Sequence, residues 1–465
     1  MAPARKVEVA KNGKKAFFFV TLIKKDFIAV FQPLEYSQKE EGLKRGRGRR
    51  NFDFNAYTIP EEKGMITYLI IGNGVAGNSA AESIRKIDSQ GKILMFSKEK
   101  YYFYYIPALP EYLAGEKQVK DFTIHNEKWY EKNGIVLYLA TEITAIDSSS
   151  KTVATKSGEK FGYDKLLLAC GGNSFVPPIK GSDSEGVFTL RTVADAEAIQ
   201  KKAKQSKKAV VIGGGLLGLE AGNGLRKIGL EVSVVEFSPR LLPRQTDSPG
   251  AAILQKQMEE MGFRFYLGVK TQEIVGGKGG LWVCLEGGEK LSADLVLISA
   301  GVRPEISLAK SLGLKIDKGI KVDDTMKTAI EDIFAAGDLI EHQGRFYGIW
   351  PASMEQGKVA GANMAGQETK YQGTVPSNTL KVVGIDLVAA GEIDAEGKME
   401  TLAMKDEPKR TYRKFVLQDN ILVGAILLGN IRGSEEIQKA IKAKKDIAPL
   451  KRNLTDEKFD FSALT

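Results

Sequence analysis

Twice along the chain a short apolar run ends abruptly in glycines and gives way to a longer segment of mixed character. The first run, Thr67–Ile71, leads into Gly72-Asn73-Gly74-Val75-Ala76-Gly77, with a helix predicted over Asn78–Lys86 and a second strand over Lys92–Phe96. The second run, Lys208–Ile212, leads into Gly213-Gly214-Gly215-Leu216-Leu217-Gly218. A helix over Leu219–Ile228, ended by Gly229, and a strand over Glu231–Val235 are predicted to follow. Beyond about residue 375 the pattern changes. Leu380–Val383, Leu387–Gly391, Tyr412–Leu417 and Ile421–Leu428 are separated by turn signals such as Gln418-Asp419-Asn420 and predict an antiparallel sheet. A helix over Ser434–Ala443 is predicted to follow it.

Strand, G-x-G-x-x-G, helix and second strand in that order predict a dinucleotide-binding unit, and the chain has two of them. Gly72 and Gly213 permit the tight turn. Gly74 and Gly215 let the backbone approach a pyrophosphate, while Gly77 and Gly218 allow close packing of helix on strand. The helix N-termini that follow present free N–H groups and partial positive charge to the phosphates, and Val75, Ala76, Leu216 and Leu217, between the glycines, are candidate cofactor-binding residues. A carboxylate for the ribose hydroxyls belongs at the end of each second strand. In the second unit Glu236 stands there, 23 residues after Gly213, close to the usual spacing of about 20. Its charge would repel the 2′-phosphate of NADPH and so favours NADH, although Arg240 lies nearby. In the first unit Ser97 follows Phe96 directly, and Glu99, two residues on, is the candidate. Two sites imply two dinucleotides, a tightly held flavin and an exchangeable nicotinamide.

Length and composition bound this reading without changing it. The 465 residues suggest three domains at about 150 residues each. The net charge of +9 is uneven: residues 1–64 carry 14 basic against 8 acidic side chains, and the other 401 carry 53 against 50. The folded part therefore has no concentrated basic excess, and nucleic-acid binding is not expected. Two cysteines, Cys170 and Cys284, and two histidines, His125 and His342, argue against a disulfide framework or a resident metal site and fit a cytoplasmic protein. No apolar run reaches the 18–20 or so residues that span a bilayer. Residues 1–64, with the run Lys44-Arg45-Gly46-Arg47-Gly48-Arg49-Arg50, read as a disordered basic extension or as an over-extended reading frame whose true start is Met65. The codons for Glu61-Glu62-Lys63-Gly64 would be purine-rich, as a ribosome-binding site is.

From about Met65 to the C-terminus the chain resembles the pyridine nucleotide-disulfide oxidoreductase superfamily. Beyond the glycine motifs, Tyr163-Asp164-Lys165-Leu166-Leu167-Leu168-Ala169-Cys170-Gly171 is similar to the "YDxLxxATG" segment, with Cys170 in the threonine place. Leu190-Arg191-Thr192 with Asp195-Ala196 resembles the link before the NAD unit. Ala293–Val296 through Gly301-Val302-Arg303-Pro304 resembles the return from it, and Ile333-Phe334-Ala335-Ala336-Gly337-Asp338 the second FAD fingerprint. The resemblance implies an α/β fold of two Rossmann-like domains, the NAD domain inserted into the FAD domain, plus a C-terminal α+β interface domain, often used in a dimer. The corresponding segments are 65–185 and 302–370 for FAD, 186–301 for NAD(P), and 371–465 for the interface domain. It implies FAD contacts from Ala169, Cys170, Gly171, Arg191, Gly337 and Asp338, and a cofactor-binding place for Gly301. Trp350-Pro351-Ala352 would present a helix N-terminus to the flavin ring, Glu220 would lie beside the nicotinamide, and Lys381 near the flavin.

Disulfide reductases of this superfamily carry a cysteine pair on the flavin face, and peroxidase or oxidase relatives a single redox cysteine about where this chain has Pro107. Neither arrangement is present. Cys170 and Cys284 read as packing residues. The run from Phe96 to Gly115 looks most like NADH:rubredoxin oxidoreductases and the flavin part of NADH-nitrite reductases, although those relatives usually have a lysine or arginine in place of Ile106. The expected activity is hydride transfer from NADH to FAD, then electron delivery to rubredoxin or another small redox protein or subunit. A regulatory NADH-sensing flavoprotein and an oxygen-reducing NADH oxidase are the alternatives.

Overall fold

A computed structural model describes the backbone of residues 5–11 and 14–20, and then residues 64–277, 280–374, 377–456 and 458–465, with the side chains of 377–381 outside that description. The chain divides into two compact units, Met1–Glu61 and Glu62–Thr465. In the first, Arg5–Lys11 pairs antiparallel with Lys14–Val20. The basic run 44–50 and the expectations for it lie outside the described residues.

The second unit contains two five-stranded parallel sheets of the same plan. In one, the order is Ile333–Ala335, Lys165–Leu168, Thr67–Ile71, Lys92–Phe96, Ile135–Tyr138. In the other it is Val187–Phe188, Leu295–Ile298, Lys208–Ile212, Glu231–Glu236, Arg264–Leu267. Each glycine turn follows the central strand of its sheet. Strands enclosed on both faces bury their whole apolar run, which is why Leu69, Ile70, Val210 and Val211 are each at most 1% exposed. A three-stranded antiparallel meander accompanies each sheet in sequence, Ile143–Gly162 in the first and Thr271–Ala293 in the second.

The first sheet is completed by Ile333–Ala335, which returns after the whole second sheet has been laid down and pairs with Lys165–Leu168. One dinucleotide unit is thus inserted into the other. Exit and return run side by side as an antiparallel ribbon, Gly172–Ser174 against Val302–Pro304. The helices Val75–Ile87 and Trp350–Met364, from opposite sides of the insertion, lie in close contact because Gly357 and Gly361 carry no side chain; an added methyl would strike the carbonyl oxygens of Ala76 and Ala80.

The C-terminal part is an antiparallel sheet ordered Ser377–Val382, Ile385–Gly391, Ile421–Leu428, Thr411–Gln418, Glu400–Asp406, covered by the helix Ser434–Ala443. The sequence pattern predicts four of these strands. It misses Glu400–Asp406 because that strand lies at the sheet edge, pairs on one side only and carries charged residues, so it lacks an apolar run. The predicted helices also begin too late. They start at Val75 and Leu216, immediately after the middle glycine of each motif, so Gly77 and Gly218 lie inside the first turn.

Candidate functional site: two adjoining dinucleotide cavities

The glycines of each motif fall into two physical classes. A methyl on Gly72 would collide with Ala169 O and one on Gly77 with Gly72 O; the counterparts Gly213 and Gly218 meet Ser299 O and Gly213 O. These positions are closed by packing, and Gly72 and Gly213 also have φ near +120°. At Gly74 and Gly215, by contrast, an added methyl would meet nothing within 4 Å. Both are the N-cap of the following helix, and neither helix has a side chain capping its first N–H groups. Uncapped donors beside an open glycine form a cradle for a pyrophosphate, and both motifs have one.

Each cradle opens into a cavity. The first, of about 380 Å³, is lined by Gly72, Gly74, Val75, Ala76, Glu99, Ala169, Cys170, Gly171, Arg191, Gly337 and Asp338. Glu99 is held by the hydroxyl of Tyr104 at 2.9 Å, and burial pushes its carboxyl pKa up. Arg191 donates to Asp338 at 2.9 Å and to the carbonyl of Gly172 at 3.1 Å, joining three segments at one point. Ser353, in the first turn of the helix Trp350–Met364, donates to the other oxygen of Asp338 at 3.0 Å. Ala352 and Gly77 line neither cavity; both are packed behind the wall. Trp350, expected beside the flavin ring, does line this cavity, whereas sequence reasoning missed Lys98, Phe103 and Glu305 as lining residues, since they come from loops that have no periodic signature.

The second cavity, of about 760 Å³, is lined by Gly213, Gly215, Leu216, Leu217, Glu236 and Gly301. Glu236 accepts from the N–H of Gly214 at 2.6 Å and from that of Ser238 at 2.7 Å, which fixes its carboxylate at the glycine turn. Arg240 points its guanidinium at the carbonyls of Thr246 and Pro243 and does not line the cavity. The cations that do line it are Arg244 and Lys270, which sequence spacing does not single out. Gly218 is closed by packing.

Glu220 lines neither cavity. It stands one helical turn beyond Leu216 and Leu217, at the point where the C-terminal sheet covers the helix, and its carboxylate accepts from the N–H of Val383 at 2.7 Å. Burial pushes its pKa up. The side chain of Lys381 lies outside the described residues.

The two cavities share a wall. Gly172 and Asn173 line the first and Ser174 the second, from one strand of the ribbon; Arg191 lines the first and its neighbour Leu190 the second. Cys170 is the only cysteine lining either cavity, and burial pushes its thiol up to about 12, while Cys284 is buried in the second meander. Both cysteines are free. Among the described residues no helix is long and apolar enough to cross a membrane.

Paired cavities with open glycine cradles define a two-dinucleotide flavoprotein fold. Comparison with known proteins agrees: residues 66–368 match the pyridine nucleotide-disulphide oxidoreductase family and residues 376–445 the rubredoxin NAD+ reductase C-terminal domain. The chain belongs to the pyridine nucleotide-disulphide oxidoreductase family, whose members bind FAD and NAD(H). It is 37% identical over 382 residues to the NAD(P)H nitrite reductase of Bacillus subtilis, covering 82% of this chain and 48% of that protein. It is 33% identical to the NADH-rubredoxin oxidoreductase of Clostridium acetobutylicum, covering 81% and 94% of the two chains. A ferredoxin reductase from Rhodopseudomonas palustris superposes with a TM-score of 0.78 at 26% identity, covering 85% and 99%. Relative to the nitrite and nitrate reductase proteins it matches, this chain spans about half of their length or less, from 38% to 51%.

Proposed function

We propose that this protein oxidises NADH and passes the electrons to an external acceptor of the small iron-protein kind, with no protein disulfide in between. The observation that carries the reading is the shared wall: a single ribbon lines both cavities, so the two nucleotides are held side by side. The chemistry FAD supplies when bound is hydride uptake from a reduced nicotinamide and release of electrons one at a time. The protein's own contribution is positional, and holding donor and acceptor in contact accounts for most of the rate gain expected of such a site.

In this reading Gly74, Val75 and Ala76 take the FAD pyrophosphate, Glu99 the ribose, and Asp338, steadied by Arg191 and Ser353, the chain between ribose and ring. Gly215, Leu216 and Leu217 take the NADH pyrophosphate and Glu236 its ribose hydroxyls. The carboxylate of Glu236 disfavours a 2′-phosphate, and Arg240 cannot offset it while bound to backbone carbonyls. Glu220 acts as a positioning residue that ties the second glycine helix to the C-terminal sheet.

The exit for electrons lies at an aromatic rim. Phe103 and Trp350 both line the first cavity and stack at 5.7 Å, and Tyr105, 46% exposed, meets Trp350 edge-on at 5.1 Å. Cys170 is ill suited to a thiol relay, since burial pushes its thiol up to about 12. Free cysteines fit a reducing cytoplasm. Pairing of two copies through the C-terminal part belongs to the same reading and is tested by light scattering.

Anaerobic stopped-flow mixing tests the function directly. NADH is expected to bleach the flavin within the turnover time, and rubredoxin or ferredoxin to restore the colour faster than oxygen does. Fast bleaching with no productive carrier would favour a regulatory flavoprotein, and fastest reoxidation by oxygen an oxidase.

A further inference from the structure

The strand Glu231–Glu236 ends at a carboxylate fixed to the glycine turn, and the residue directly after it is Phe237. Phe237 lines the second cavity and yet is 66% exposed, the most exposed large hydrophobic side chain among the described residues. A singly exposed apolar side chain is ordinary on a protein surface. This one differs in its surroundings. Lys270, which also lines the cavity, holds its Nζ 5.3 Å from the ring centroid and so restrains the ring while leaving most of it uncovered.

We propose that Phe237, with Lys270 pinning the ring, is the stacking platform for the adenine of the pyridine nucleotide. The proposal rests on the reading of this cavity as the NADH site and adds the residue that recognises the far end of the donor. The geometry follows the ligand's own order. Consecutive residues place their Cα atoms about 3.8 Å apart, so a carboxylate that takes ribose hydroxyls is followed one residue later by a flat apolar face, as ribose is followed by adenine. A purine stacks on an aromatic ring through dispersion and exclusion of water, without needing hydrogen-bond partners, and such stacks change affinity by roughly tenfold or more per base. Phe237 is then a binding residue that acts on the adenosine half only and is remote from hydride transfer.

The test uses FAD-loaded full-length protein. Calorimetry with ADP-ribose, which carries adenine and both phosphates but no nicotinamide, is expected to show about tenfold weaker binding by Phe237→Ala and binding within about twofold of wild type by Phe237→Trp. Anaerobic flavin titration with reduced nicotinamide mononucleotide, which has no adenosine, is expected to give the same dissociation constant in Phe237→Ala and wild type within about twofold. Trp282→Ala, a change at an equally apolar site on the second meander outside both cavities, is expected to alter neither. Wild-type protein that fails to bind ADP-ribose would overturn the cavity assignment itself. Wild-type binding that Phe237→Ala leaves intact, or an equal loss for both ligands, would overturn the platform alone.

Discussion

At the scale of single residues, burial disarms the thiol of Cys170 and the imidazole of His125. The Cys170 thiol is pushed up to about 12, so thiolate is scarce between pH 7 and 9. N-ethylmaleimide at pH 8 is expected to leave Cys170 unmodified in the folded protein and to label it once urea is added; mass spectrometry reads the difference, and rapid labelling of folded protein would contradict it. His125, stacked on Trp129 at 3.6 Å, is lowered to about 4 by desolvation. Its folded value lies below its unfolded one near 6.5, so it contributes stability that is intact above about pH 6.5 and is lost as pH falls toward 4. Urea midpoints measured from pH 7 to 4 are expected to fall over that window, and less steeply in His125→Phe. The sequence reads Cys170 as a packing residue, but neither shift was legible in it, because desolvation depends on neighbours remote along the chain.

At the scale of elements, the two classes of glycine separate folding from binding. Gly77→Ala forces a methyl against Gly72 O and is expected to lower stability by about 1–3 kcal/mol. Gly74→Ala meets nothing and is expected to leave the urea midpoint of the FAD-free protein in place while lowering FAD occupancy tenfold or more, since the added methyl fills the space where the pyrophosphate must approach. Flavin absorbance against protein, alongside the melts, checks both; equal loss of stability in the two variants would refute the distinction. Here the sequence was nearly sufficient. A short apolar strand, three glycines and a helix specify the turn locally, even though Gly72 and Gly213 also pack against Ala169 and Ser299, remote along the chain. The helices nevertheless begin about one turn earlier than the sequence implied, because the third glycine is recruited into the helix by packing on the strand. The strand Glu400–Asp406 escaped for the opposite reason: an edge strand needs no apolar run of its own.

Across the whole molecule, the second dinucleotide unit is held to the C-terminal sheet by charge in the interior. Lys414, 5% exposed, meets Asp247 at 3.2 Å and Asp394 at 3.8 Å and donates to the carbonyl of Asp394 at 2.7 Å; Tyr412 donates to Asp247 at 2.7 Å. Asp247 also caps the helix Ser248–Glu260 through the N–H of Gly250. Replacing one member of such a set leaves the others buried and uncompensated. Lys414→Met is therefore expected to cost about 3–5 kcal/mol in urea denaturation, while Lys414→Met with Asp247→Asn and Asp394→Asn recovers part of it. A single variant as stable as wild type would show that water reaches the cluster.

By itself the sequence determined what is local: two glycine turns, the strands and helices that flank them, a carboxylate at the end of the second, and the absence of any paired cysteines. Tertiary structure alone decided which of those pieces meet. The ribbon that makes the two cavities neighbours joins residues about 130 positions apart, Arg191 reaches Asp338 across 147, and Glu220 finds its partner at Val383 across 163. Contacts of that separation leave no periodicity in the chain, because they are selected by the packing of completed sheets and not by the backbone preferences of adjacent residues.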